Sequence, residues 1–156
     1  YMKQHSNCHL LRVGHEHYID QKGKNCWEIF YEQLNLPLDV KFDEFYIESD
    51  TEEENRVFNK LNPSGEDFIF VHNESSEGKV DLKHRDDIIV VGNDVTENVF
   101  HFTKLIKEAN EIHLIESSFK SIVEHFPTDG RLVFHDFGGH PLGKTKKEWE
   151  VVKYAS

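Results

Sequence analysis

Glu116, Ser117 and Ser118 stand between a short apolar run, Ile112, Leu114 and Ile115, and a helical pattern carried by Phe119, Ile122, Val123 and Phe126. A serine at a helix N-cap turns its hydroxyl toward the free amides of the first turn. Such a corner therefore either caps itself or offers donors to an anion. Three further strand patterns end in polar groups. DFIFVH, residues 67–72, leads into Asn73, Glu74 and Ser75; Ile88 to Val91 leads into Gly92, Asn93 and Asp94; RLVFH, residues 131–135, leads into Asp136, Gly138 and Gly139. His72 and His135 each close a strand, where an imidazole can reach a ligand or make a structural hydrogen bond.

The elements that must position these residues alternate along the chain. NCWEIFYEQLNLP predicts a helix from an Asn25 cap that halts before Pro37, followed by a short aromatic segment, FDEFYI, at 42–47. Ser49 with Glu52, or Thr51 with Glu54, forms a capping box for a helix carrying Val57, Phe58 and Leu61. Asp94 or Thr96 caps another, with Val99, Phe102, Leu105 and Ile106 as its apolar stripe. The closing EWEVVKY reads as a strand or a short helix. Strands separated by helices imply a Rossmann-like α/β fold, a parallel sheet with helices on both faces, whose ligands bind at the carboxyl ends of the strands. Strands near 67–72, 87–91, 111–115 and 131–135 are expected to be parallel. Residues 25–156 are read as one domain, and residues 1–24 are unassigned.

The chain has 156 residues and a formal charge of −11, from 18 Lys plus Arg against 29 Asp plus Glu. That balance repels nucleic acid and anionic membranes, so neither is an expected partner and any phosphate site must be local. No run approaches the roughly 20 apolar residues of a membrane span. Two cysteines, Cys8 and Cys26, and no apolar leader point to the cytoplasm. The start at Tyr1 suggests a processed or truncated product.

Neither phosphate-binding glycine motif is present, and Gly138, Gly139, Gly143, Lys144 and Thr145 have Pro141 inside their spacing. There is no G-x-S-x-G elbow to make Ser117 or Ser118 a hydrolase nucleophile. His5, Cys8, His9, His15 and His17 crowd thirteen residues, but no second ligand cluster follows, so they are read as surface histidines and no metal is assigned. His113, inside a strand, is expected to face a helix or water.

The stretch from KNCWEIFYEQLNLP through DFIFVHNESSEG to NVFHFTKLIKEANEIHLIESSFKSIVEHF, about residues 24–135, resembles the C-terminal part of a group of bacterial and viral glycosyltransferase-like proteins of the two-Rossmann-domain (GT-B) design. The resemblance is strongest at Phe30 to Gln33, Phe70 to His72 and Glu111 to Phe119. Asn73 stands where that family tends to carry an acid, and Glu116 where it tends to carry Asp. The resemblance implies a nucleotide sugar as donor substrate, with no further cofactor, and a separate N-terminal domain that recognises the acceptor. Ser117 and Ser118, with the first-turn amides of their helix, would bind the diphosphate. Glu116 and His72 would hold ribose, base or sugar hydroxyls, and Asn73 and His135 complete the candidate substrate-binding set. Phe119 is read as core. The acceptor base is not assigned, and without a D-x-D motif no divalent cation is implied. Two other classes fit the same fold: a non-catalytic interaction module, and a small-molecule or metal-binding module organised by the N-terminal histidines.

Overall fold

The computed structural model describes residues 13, 24, 26–75, 78–79, 87–92, 94–138 and 142–154. The histidine-rich stretch with His5, Cys8, His9, His15 and His17, the expected Asn25 cap, Asn93 and Gly139 lie outside them. By its contacts the chain forms two compact units, Tyr1–Glu44 and Phe45–Ser156.

In the first unit, helix α1 (Cys26–Gln33) follows the expected pattern. It ends where Asn35 enters the left-handed region at φ 54°. There the Asn35 amide donates to Glu32 O and the Leu36 amide to Tyr31 O, both at 2.9 Å. This paired closure satisfies carbonyls that the helix leaves open. A short helix α2 (Val40–Asp43) follows and buries Phe42, so the aromatic segment 42–47 opens as the end of a helix.

The second unit contains α3 (Thr51–Leu61), β1 (Ile69–His72), a small antiparallel hairpin of β2 (Glu74–Ser75) and β3 (Gly78–Lys79), and β4 (Ile88–Val90). Next come a 3-10 turn (Val99–Phe102) running into α4 (Thr103–Glu108), then β5 (Glu111–Leu114), α5 (Ser118–His125), β6 (Arg131–Asp136) and β7 (Glu150–Lys153). Five strands make one sheet in the order β4-β1-β5-β6-β7, and every pair in it is parallel. The fold is Rossmann-like α/β, and the closing segment is a strand. No helix among the described residues is long and apolar enough to cross a membrane.

Register assigns each strand residue to a face, because neighbours level in a parallel sheet point the same way. Phe70, Ile112 and Leu132 are level, as are His72, Leu114 and Phe134. Phe70, Ile112, Leu114 and Leu132 join Val57 and Phe58 of α3, Leu105 and Ile106 of α4, and Phe119, Ile122 and Val123 of α5 in one apolar core. On the opposite face Ile69, Val71 and Val133 are also buried. Both faces of the central strands are therefore covered, as a parallel sheet requires.

Several junctions rest on single side chains. Asp50, not Ser49 or Thr51, caps α3: its Oδ1 accepts from the Glu53 amide at 3.1 Å. Asn98, not Asp94 or Thr96, caps the 3-10 turn by accepting from the Phe100 amide at 3.1 Å. Gly130 lets the chain cross the end of α4, since a Cβ there would lie 2.3 Å from the Ala109 carbonyl oxygen. Buried Glu124 of α5 accepts from the Lys146 amide at 2.6 Å, the Lys147 amide at 3.2 Å and the Trp149 indole, and so fixes the approach to β7. Replacing the α3 cap by Asp50→Ala should cost about 1 kcal/mol of stability. Urea unfolding measures it, and no loss would show that the Asp50 bond does not hold the helix end.

Candidate functional site

Counted along the chain, the five sheet strands lie in the order 2-1-3-4-5. The chain moves from β1 to one side for β4, then back across to the other side for β5. The direction of winding therefore reverses at β1, and the crevice of such a sheet opens between the carboxyl ends of β1 and β5. His72 closes β1 level with Leu114, the last residue of β5. Glu116, Ser117 and Ser118 leave β5 at the same edge and turn into α5. Register thus brings His72 and its half-buried neighbour Asn73 together with the 116–118 corner at one switch point.

Ser117 is the N-cap residue of α5, with extended backbone at φ −168° and ψ 172°. Its hydroxyl makes no capping bond. The Oγ atom is buried and has no hydrogen-bond partner, while the first turn closes through the Lys120 amide donating to Ser117 O at 3.2 Å. His72 carries a second such atom: its Nδ1 is buried without a partner. Burial lowers the pKa of His72, so the ring is neutral near pH 7. The ring leans on Phe119 at 4.8 Å between centroids, and Phe119 in turn packs on Phe70 and Phe102 within the core. A buried polar atom left unpaired costs about 1–3 kcal/mol, and two of them lie where β1 ends and β5 turns into α5.

Ser118 is exposed beside them. Glu116 is half-buried and accepts from the Lys120 ammonium. Lys120 also donates to Leu142 O at 3.2 Å and lies 5.1 Å from the centroid of the Phe134 ring. Its side chain is only 11% exposed, which places a cation inside the first turn of the same helix. Sequence reading missed Lys120, although the i,i+4 spacing from Glu116 was the available signal.

His135 is not part of this crevice. It follows Phe134 on β6 and so points to the opposite face of the sheet, where it is 4% exposed. There His135 Nε2 meets His113 Nδ1 at 2.9 Å, and His135 Nδ1 meets the Tyr154 hydroxyl at 2.9 Å. His113 Nε2 lies 3.3 Å from Glu111 Oε2. Within the sheet His113 thus meets both His135 and Glu111. Burial, and then the charge of His113, hold the pKa of His135 down to about 4.

At the other end of the sheet, Thr128, Arg131, Lys147, Trp149 and Glu150 line a groove of about 530 Å³. It opens at the amino ends of β6 and β7, away from the loops where doubly wound sheets hold ligands. Among the described residues no three His, Cys, Asp or Glu side chains converge as a metal site.

Because the Ser117 hydroxyl is buried without a partner, Ser117→Ala should leave stability unchanged or raise it, by up to about 1–3 kcal/mol. A working cap would lose about 0.5–2 kcal/mol on the same change. Urea unfolding separates the two, and a loss above about 1 kcal/mol would assign the hydroxyl to capping.

Comparison of the chain with protein-family models, with curated proteins and with solved structures finds no match.

Proposed function

We propose that the chain binds a nucleotide sugar in the crevice between β1 and β5 and is the donor-binding part of a glycosyltransferase. The observation that carries this reading is the buried, unpartnered Ser117 hydroxyl at the N-cap of α5, placed at the topological switch point. A helix N-terminus carries partial positive charge and free amides, and it suits the oxygens of a diphosphate even on a chain of net charge −11. Ser117 and Ser118 would add hydroxyl donors to that cradle. His72, neutral and leaning on Phe119, would bond a polar edge of the ribose, base or sugar through Nδ1. Glu116, oriented by Lys120, would accept from a ribose or sugar hydroxyl, and Asn73 stands beside His72 with an amide that can donate or accept.

In glycosyl transfer the bond from the anomeric carbon to the diphosphate oxygen breaks while the acceptor hydroxyl attacks. The sugar gains oxocarbenium character and the diphosphate gains charge. Donors already aimed at that charge lower the barrier without reorganising during the reaction. The α5 corner would supply this part of the chemistry. The base that takes the acceptor proton is assigned to a separate acceptor domain, so this chain by itself is expected to bind donor without appreciable turnover. No cofactor enters the scheme.

Ser117→Asp tests the reading. Asp caps helices well and favours the N-terminal end of the helix dipole, so folding should be kept or improved. In the crevice, however, it opposes the ligand's own negative charge. Calorimetric titration with a panel of nucleoside diphosphates should show binding by the parent chain and at least tenfold weaker binding, roughly 1.4 kcal/mol, by the variant. Equal affinity in both would remove Ser117 from the site. A parent chain that binds none of the diphosphates would overturn the proposal itself.

A further inference from the structure

The side chains Glu111, His113, His135 and Tyr154 make one hydrogen-bonded line along the sheet face opposite the helical core, crossing from β5 through β6 to the residue after β7. Its protonation pattern follows from its first member. Glu111 accepts from Arg131 Nη1 at 3.2 Å and is a carboxylate, so it can only accept from His113 Nε2. With His113 neutral, its Nδ1 must then accept from His135 Nε2, and His135 Nδ1 must accept from the Tyr154 hydroxyl. Every donor in the line points toward Glu111.

We propose that these four residues form a one-proton switch, in which a single added proton reverses each hydrogen bond from His113 to Tyr154 and turns the hydroxyl proton of Tyr154 outward. The reversal balances atom by atom. Tyr154 passes its proton to His135 Nδ1 and takes a replacement from solvent, and the proton on His135 Nε2 moves to His113 Nδ1. The charge comes to rest on His113, beside the Glu111 carboxylate. His135 ends neutral, as the other tautomer, donating to the Tyr154 oxygen. Tyr154 is 39% exposed, so the line has a route to solvent, whereas His135 is buried and, among the described residues, no carboxylate meets either of its nitrogens. The gap of 2.9 Å between His113 Nδ1 and His135 Nε2 holds one proton and excludes two, so the pair takes up one proton as a unit.

The charges around the line agree with this direction. From β5 come Glu111 and His113, from β6 Arg131 and His135, and from β7 Glu150, which Arg131 also binds. From β1 and β4 the level residues Ile69, Val71, Ile88 and Val90 are apolar. Among the described residues, Glu111 is therefore the acid next to an imidazole of the line, and it lies at the His113 end. The low pKa of His135, with burial as its main cause and the charge of His113 as the second, fits a proton that settles on His113.

Proton–nitrogen correlation NMR on the isotope-labelled chain reads the tautomer of each ring directly. At about pH 8 both rings should carry their proton on Nε2. On acidification His113 should become an imidazolium while His135 changes to the Nδ1–H tautomer, with one midpoint shared by the two rings. An Nδ1–H His135 at about pH 8, an imidazolium forming first at His135, or two separate midpoints would each overturn the switch. Glu111→Gln removes the carboxylate that attracts the proton and should lower the shared midpoint by about one pH unit or more, roughly tenfold in proton affinity. An unchanged midpoint in that variant would also count against the proposal.

Discussion

Asn110, at the head of β5, ties three strands together at one residue. Its amide donates to Phe68 O at 3.0 Å, its carbonyl accepts from the Arg131 amide at 2.9 Å, and its side-chain oxygen accepts from the Phe68 amide at 3.3 Å. Phe68 leads into β1 and Arg131 opens β6, so this junction sets the central register. A slip of one residue would turn Ile112 and Leu114 out of the helical core and turn His113 into it. The register also brings His72 level with Leu114, and it is this alignment that lets Glu116, Ser117 and Ser118 leave the sheet beside the end of β1.

The two faces and the rim of the sheet handle their polar groups differently. The face beneath α3, α4 and α5 is apolar, built on Phe70, Ile112, Leu114 and Leu132. The other face carries polar side chains that satisfy one another along the line from Glu111 to Tyr154, with Phe137 stacked on Tyr154 at its outer end. At the rim, the Oγ of Ser117 and the Nδ1 of His72 are buried without partners. Polar burial that is compensated along the sheet is left uncompensated at the crevice.

Much of this architecture was legible in the residues. Apolar runs at 67–72, 88–91, 111–115 and 131–135, separated mostly by helical patterns, lead directly to parallel strands, and all four occur within one or two residues of the expected bounds. The candidate corner was equally visible, because a strand, two serines and an amphipathic helix occur in immediate succession. The caps were legible in kind only. Asp50 and Asn98 took the roles expected of nearby residues, since several capping types crowd each helix start and the placement of the first turn decides among them. The face of His135 could not be read before β6 was aligned with β5, because alternation gives two faces and only pairing distinguishes them. Glu124 and Asn110 act through partners about 20 or more residues away, which local pattern does not reveal, whereas Lys120 was signalled by its i,i+4 spacing from Glu116.

The central claim is that the switch point between β1 and β5 receives the diphosphate of a nucleotide. Amide correlation NMR of the chain titrated with a nucleoside diphosphate tests it most directly, since each backbone amide reports its own surroundings. The account predicts saturable shifts centred on Ser117 to Lys120, with the His72 and Asn73 amides moving in step at the same dissociation constant. Shifts confined to the groove of Thr128, Arg131, Lys147 and Trp149, or a corner at Ser117 unmoved by a diphosphate that binds elsewhere, would contradict it.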